Sequence, residues 1–314
     1  MSIADENTVV GELVGCDELY FAKVTEDTLA NYITDKPIYL APIGEVKHDP
    51  KVNSDSSAYD NKQMFTYYSE AGTDTLSVSG LTEKLKAYIT GKSSDPVTGR
   101  VLDSGDLSNV PYFAVGYRIS IGNGNYIYRW FLKGTFEIGS EDAKSKADKV
   151  TAKGIDLTYT PVTTVHQFDI PDPMDSAKTI KSSLKKVSDD TTNPLFTDAS
   201  TWFDRVQTPD THGPLPELAV TVVPEANATS VAVAAKPVLT FSNAISDYSG
   251  VALISDGAVV ACTAALDSTK KVLTLTPAAA LTAGKQYSII IAAVQDVYGQ
   301  TLATTVSNFT VATA

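Results

Sequence analysis

The stretch "PYFAVGYRISIGNGNYIYRWFLKGTFEI", Pro111 to Ile138, decides how the first two thirds of the chain are read. Phe113, Val115, Tyr117, Ile119 and Ile121 alternate with smaller or polar residues. Asn123-Gly124 then marks a tight turn, and Tyr126, Tyr128, Trp130 and Leu132 resume the alternation. A period of two on both sides of an Asn-Gly pair is the signature of a β-hairpin. Outward from it, "KPIYLAPIGEV", "TDTLSVS" and "AKGIDLTYTPV" also read as extended segments. Between strands, "SGLTEKLKAYITGK" sets Leu81, Leu85, Tyr88 and Ile89 at helical spacing, with Glu83 in the first turn and Gly91 after the last. That pattern predicts one amphipathic helix. At about ten residues it is marginal alone and must lay its apolar stripe on a sheet. The expected fold is all-β, a β-sandwich or barrel with one packed α-helix.

Residues 166–215 change character. "DIPDPMD" and "TPDTHGPLP" are Pro/Asp punctuation, and "SAKTIKSSLKKV" places Ile180, Leu184 and Val187 at helical spacing. This reads as a short helix within an arm. Lys178, Lys181, Lys185 and Lys186 around it are either a solvated face or a contact with an acidic neighbouring subunit. "TWFDRV" would dock the arm on an apolar surface through Trp202, Phe203 and Val206. From about Leu218 the composition turns to Ala, Val and Thr, with short strands at regular spacing, as in an immunoglobulin-like sandwich. The expected domains are 1–215, including the helical arm at about 166–215, and 216–314.

The chain has 314 residues, with 25 Lys and Arg against 37 Asp and Glu, a formal charge of −12. Residues 1–215 hold 21 of the bases and 31 of the acids, a net −10. Such a balance argues against binding phosphate backbones, which takes clustered Lys and Arg. It is consistent with a surface that repels a passing polyanion, or with simple solubility. Cys16 and Cys262 form neither a CxxC pair nor a disulfide framework. The start "MSIADENTVVGELVG" lacks the basic and apolar regions of a secretion signal, and no apolar run approaches the ~18 residues that span a bilayer. Synthesis and assembly in a cytoplasm, without membrane insertion, are expected.

No constellation for catalysis stands out. "TGKSS", Thr90 to Ser94, would need a glycine where Lys86 stands to be a phosphate-binding loop, and its glycine ends a helix. "GNGN", Gly122 to Asn125, is followed by a strand, unlike a dinucleotide fingerprint. His48, His166 and His212 are scattered, and the acidic loops lack calcium-binding spacing. No catalytic residue, cofactor or metal is expected. The unusual stretch is "SSAYDNKQMFTYYSEAGTDTLSVSG", Ser56 to Gly80, where rings stand among charges in what reads as a loop. Exposed aromatics gain nothing from water and invite association. Tyr59, Asp60, Met64, Phe65, Tyr67 and Tyr68 are therefore the candidate subunit-contact residues.

Taken in order, "KPIYLAPIGEVKHDP", the loop with "AYDN", "TLSVSG", "LTEKLKAYITG", "DPVTGRVLDSG", the long hairpin and "WFDRVQTP" resemble the major tail proteins of long-tailed phages, of the phi13 and TP901-1 type. The resemblance covers roughly residues 10–210. "PVLTFSNAIS", "LTLTPAAALTAGKQYSIII" and "VQDVYGQTL" are similar to bacterial Ig-like domains. The resemblance implies a virion protein made in the host cytoplasm. Its subunits would form hexameric rings stacked into a tube that conducts DNA without specific binding. The implied partners are further copies, the tape measure and terminator proteins, and host-surface carbohydrate touched weakly but many times by an outward Ig-like module. The alternatives are a bacterial surface or adhesion protein, the inner tube of a contractile tail, and an enzyme with an Ig-like accessory domain.

Overall fold

The computed structural model describes residues 11–59, 62–69, 72–105, 108–140, 154–211 and 213–313, with the backbone alone over 53–59, 62–69 and at 176. The chain divides into two compact units, Met1–Pro214 and Leu215–Ala314.

In the first unit the elements run β1 (Gly15–Asp27), β2 (Tyr32–Thr34), β3 (Ile38–Tyr39), β4 (Ile43–Asp49), β5 (Val52–Tyr59), β6 (Lys62–Ser69), β7 (Thr73–Val78), α1 (Glu83–Thr90), β8 (Ser93–Ser94) and β9 (Val101–Leu102). They continue as β10 (Phe113–Ser120), β11 (Tyr126–Ile138), β12 (Ile155–Pro161), β13 (Gln167–Asp172), β14 (Asp175–Ser183) and β15 (Lys186–Asp190). The main sheet is antiparallel in the order β2-β1-β10-β11-β12-β7-β4. It curls until β4 approaches β1, so that one face encloses a core as in an open barrel. β12 pairs with residues 134–138 of β11 and β15 with residues 127–131, two short strands sharing one long edge.

The deciding hairpin is β10–β11, turning through Gly122, Asn123 and Gly124, all three at positive φ. Its two alternating sets lie on opposite faces of the sheet. Phe113, Val115, Tyr117 and Ile119 point into the barrel, where their neighbours on β11 are Phe131, Arg129 and Ile127. Tyr128, Trp130 and Leu132 point outward, onto a second core with Ala22, Ala114, Phe168, Trp202 and Val206. The hairpin is therefore buried on both sides. Trp130 lies flat over Gly116, where an added Cβ would fall 2.6 Å from the indole.

α1 plugs the barrel core through Ile89, with Leu81 and Leu85 packed against the same cluster. Thr82 caps it by accepting the Leu85 N–H at 3.3 Å, and Gly91 ends it in the left-handed region. Tyr88 lays its ring against Phe113 and Phe21 at 5.5 and 6.3 Å while its outer part stays exposed, and Ala87 is buried beside it, so the expected face is the packed one.

The expected helix over "SAKTIKSSLKKV" is absent. Its residues form β14 and then β15, and β13–β14 is a hairpin of its own. Thr, Ser and Val are poor helix formers, and pairing of β15 with β11 outweighs the helical spacing of Ile180, Leu184 and Val187. The polar-aromatic segment, expected as a loop, is likewise the β5–β6 hairpin.

In the second unit one sheet takes Val220–Val223, Val238–Phe241, Val272–Pro277 and Cys262–Leu266 in that spatial order. The other takes Ala228–Val231, Thr305–Val311, Gln286–Ala292, Gly250–Ser255 and Ala258–Val259. Leu239, Leu273, Leu275, Ile289, Ile291, Phe309 and Val311 fill the space between them. Tyr287 and Phe309 stack at 5.6 Å across paired strands. The Asp296 carboxylate is buried in the turn it organises, accepting from Tyr298 N at 3.0 Å, Gln300 N at 2.8 Å and Asn243 Nδ2 at 2.9 Å. Gly299 in the same turn is at positive φ, so the Asp and Gly of "VQDVYGQTL" both belong to this turn.

Candidate functional site: a hairpin arm and its root

β4 and β7 do not end where the barrel ends. The chain continues from β4 through Pro50 into β5, and from β6 through Gly72 into β7, so one antiparallel pair leaves the barrel as an arm. Among the described residues β5 and β6 pair only with each other. Eight residues at about 3.4 Å each carry the arm about 27 Å beyond its root. The chain is pinched at Gly72, where a Cβ would fall 2.4 Å from the Asp49 carbonyl oxygen.

Five of the six candidate contact residues lie on this arm. Tyr59 sits opposite Lys62, Met64 opposite Ser57, Phe65 opposite Ser56, Tyr67 opposite Ser54 and Tyr68 opposite Asn53. Asp60 lies outside the described residues.

The root holds a feature that the sequence reading missed. Asp74 follows the inward alternation of Leu76 and Val78 and is fully buried, directly across from His48. His48 Nδ1 and Asp74 Oδ1 are 2.5 Å apart, and the imidazole rests on the Phe131 ring at 5.5 Å. Among the described residues Asp74 Oδ2 has no hydrogen-bond partner, nor does the buried Arg129 Nε. Burial lifts the Asp74 pKa above the ordinary carboxylate value, against the lowering effect of the His48 hydrogen bond and the charges of His48, Arg129 and Lys186. Burial and the proximity of Arg129 push the Lys186 pKa down, with Asp74 acting against them. Burial and the Asp74 charge also hold the Tyr117 hydroxyl far above its usual range. A cavity of about 280 Å³ opens beside this cluster, lined in part by His48, Pro50, Gly72, Phe131, Pro161 and Lys186. The signal available in the sequence was a carboxylate at an inward position of an alternating strand.

The outer face has a different character. Trp130 Nε1 donates to the Trp202 carbonyl at 3.1 Å, and Tyr128, Phe196 and Phe203 pack around the pair. The "TWFDRV" segment thus docks on β10–β11 as part of the core. Arg118 grips Asp17 with two hydrogen bonds of 2.7 and 2.6 Å and covers the Tyr126 ring. Among the described residues no group of three His, Cys, Asp or Glu is placed to hold a metal. Among the same residues no helix is long and apolar enough to cross a membrane.

The second unit has the two facing sheets of an Ig-like sandwich, and residues 216–311 match the bacterial Ig-like domain family. This unit is a bacterial Ig-like domain. A comparison with curated proteins finds no match to the chain.

Proposed function

We propose that the chain is a structural, self-associating protein, the subunit of a phage tail tube, with no catalytic role. The arm carries this reading. A two-stranded ribbon on its own is marginal in water, and this one concentrates Tyr59, Met64, Phe65, Tyr67 and Tyr68 within ten residues. A neighbouring subunit supplies what such a ribbon lacks, a surface on which rings are buried for about 1.5–3 kcal/mol each. The acidity of the first 215 residues, net −10, suits a conduit past which DNA slides without sticking. In this reading the copies form hexameric rings stacked in the virion tail, joined by tape measure and terminator proteins. The Ig-like domain touches host carbohydrate weakly and repeatedly. Negative-stain electron microscopy and sedimentation of the purified chain test it. Rings or tubes are expected, and a chain that stays monomeric at every concentration and salt condition overturns it.

A second reading, a bacterial surface or adhesion protein, is favoured by the bacterial Ig-like domain itself. It requires a monomer that binds glycans, so the same sedimentation run together with a glycan-binding assay separates the two.

A further inference from the structure

We propose that His48 and Asp74 form a proton-sensitive latch that sets how firmly the arm is seated on the barrel. The pair joins β4 to β7 directly beneath the point where these strands leave the barrel, and Gly72 allows the two backbones to close there. Every ladder bond of β5–β6 is internal to the ribbon among the described residues, so the arm is oriented by its root.

Groups from five strands face Asp74. They are His48 on β4, Tyr117 on β10, Arg129 on β11, Tyr159 on β12 in register with it, and Lys186 on β15. Tyr159 gives its hydroxyl proton to the Phe113 carbonyl and so offers Asp74 nothing. Among the described residues Asp74 Oδ2 is left without a donor. A carboxylate there bears a desolvation penalty that His48, Arg129 and Lys186 offset only in part, whereas a neutral carboxyl bears less. The sign follows from the raised pKa of Asp74. Its contribution is complete below the ordinary carboxylate value and is lost as pH rises through the folded-state value. The latch is firm in acid and loosens as the solution becomes neutral. The proposal does not rest on the assembly reading, because it is read in the isolated chain.

Amide exchange over Val46–Val52 and Gly72–Leu76, corrected for intrinsic rates at each pH, is the test. Protection in the wild type is expected to fall about tenfold for each pKa unit by which Asp74 is raised, as pH rises from the carboxylate range toward neutrality. Asp74→Asn is expected to remove the pH dependence. His48→Gln removes the imidazole whose interaction with Asp74 lowers its pKa, so the loss of protection is expected to move to higher pH. A corrected wild-type profile flat with pH overturns the latch. So does an Asp74→Asn profile that keeps the wild-type slope. If Asp74→Asn fails to fold, a His48→Gln profile superimposing on the wild type overturns it equally.

Discussion

Asp27, at the end of β1, is almost wholly buried and faces Lys133 Nζ at 2.7 Å, itself 12% exposed and set over the Tyr112 ring. Its two oxygens also accept the backbone N–H groups of Val165 and His166 at 2.9–3.0 Å. Burial disfavours its charge, but Lys133 and the two N–H groups outweigh it and hold the pKa below the usual carboxylate value. Replacing the carboxylate by an amide removes the charge that faces Lys133, so Asp27→Asn should cost about 1–3 kcal/mol in urea unfolding at neutral pH. A lowered pKa gives stability that is present above the ordinary carboxylate value and lost as pH falls through the folded-state value. The gap between wild type and Asp27→Asn should therefore narrow as pH falls below the ordinary carboxylate value, and a constant gap would show that the carboxylate charge is not what holds the segment. Gly116→Ala, set against the Trp130 indole, should cost about 1–3 kcal/mol by overpacking. A thermal midpoint equal to the wild type would mean that Trp130 moves aside freely.

The arm makes the clearest demand on an element. If its rings meet a neighbouring copy, replacing Phe65 and Tyr67 with Ser should leave the unfolding midpoint of the isolated chain nearly unchanged and abolish polymerisation seen by light scattering. Unfolding of the single chain by the same pair of changes would assign those rings to its own core. Elements with local signals were legible. Glu83 in the first turn, the Gly91 stop and the spacing of Leu85 and Ile89 announced α1, and alternation around Asn123-Gly124 announced β10–β11. What depends on distant partners was not. β14 and β15 carry a helical spacing that only pairing with β11 overrides, and the ribbon of β5–β6 hid behind polar residues that turn chemistry also favours. The two faces of β11 were visible as one alternating set, because the residues covering the second face lie far along the chain. Asp74 escaped notice since His48 becomes its neighbour only through the β4–β7 register.

Each of the two units has its own closed core, so each should fold alone. A chain ending at Pro214 should remain folded by circular dichroism and, on the proposed function, still form tubes. A truncated chain that folds but never enters a tube would make the Ig-like domain part of the tube's architecture. The two-faced burial of β10–β11 bears also on the chain's birth on the ribosome. Trp202, whose carbonyl receives the Trp130 indole proton, is made 72 residues after it. At 5–20 residues per second that delay is about 4–14 s, during which Trp130 lacks its Trp202 cover on a growing polypeptide. The nascent protein thus passes through a sticky interval that the finished one has sealed, and slower translation between residues 130 and 202 lengthens its exposure to chaperones and to premature contact with its own siblings.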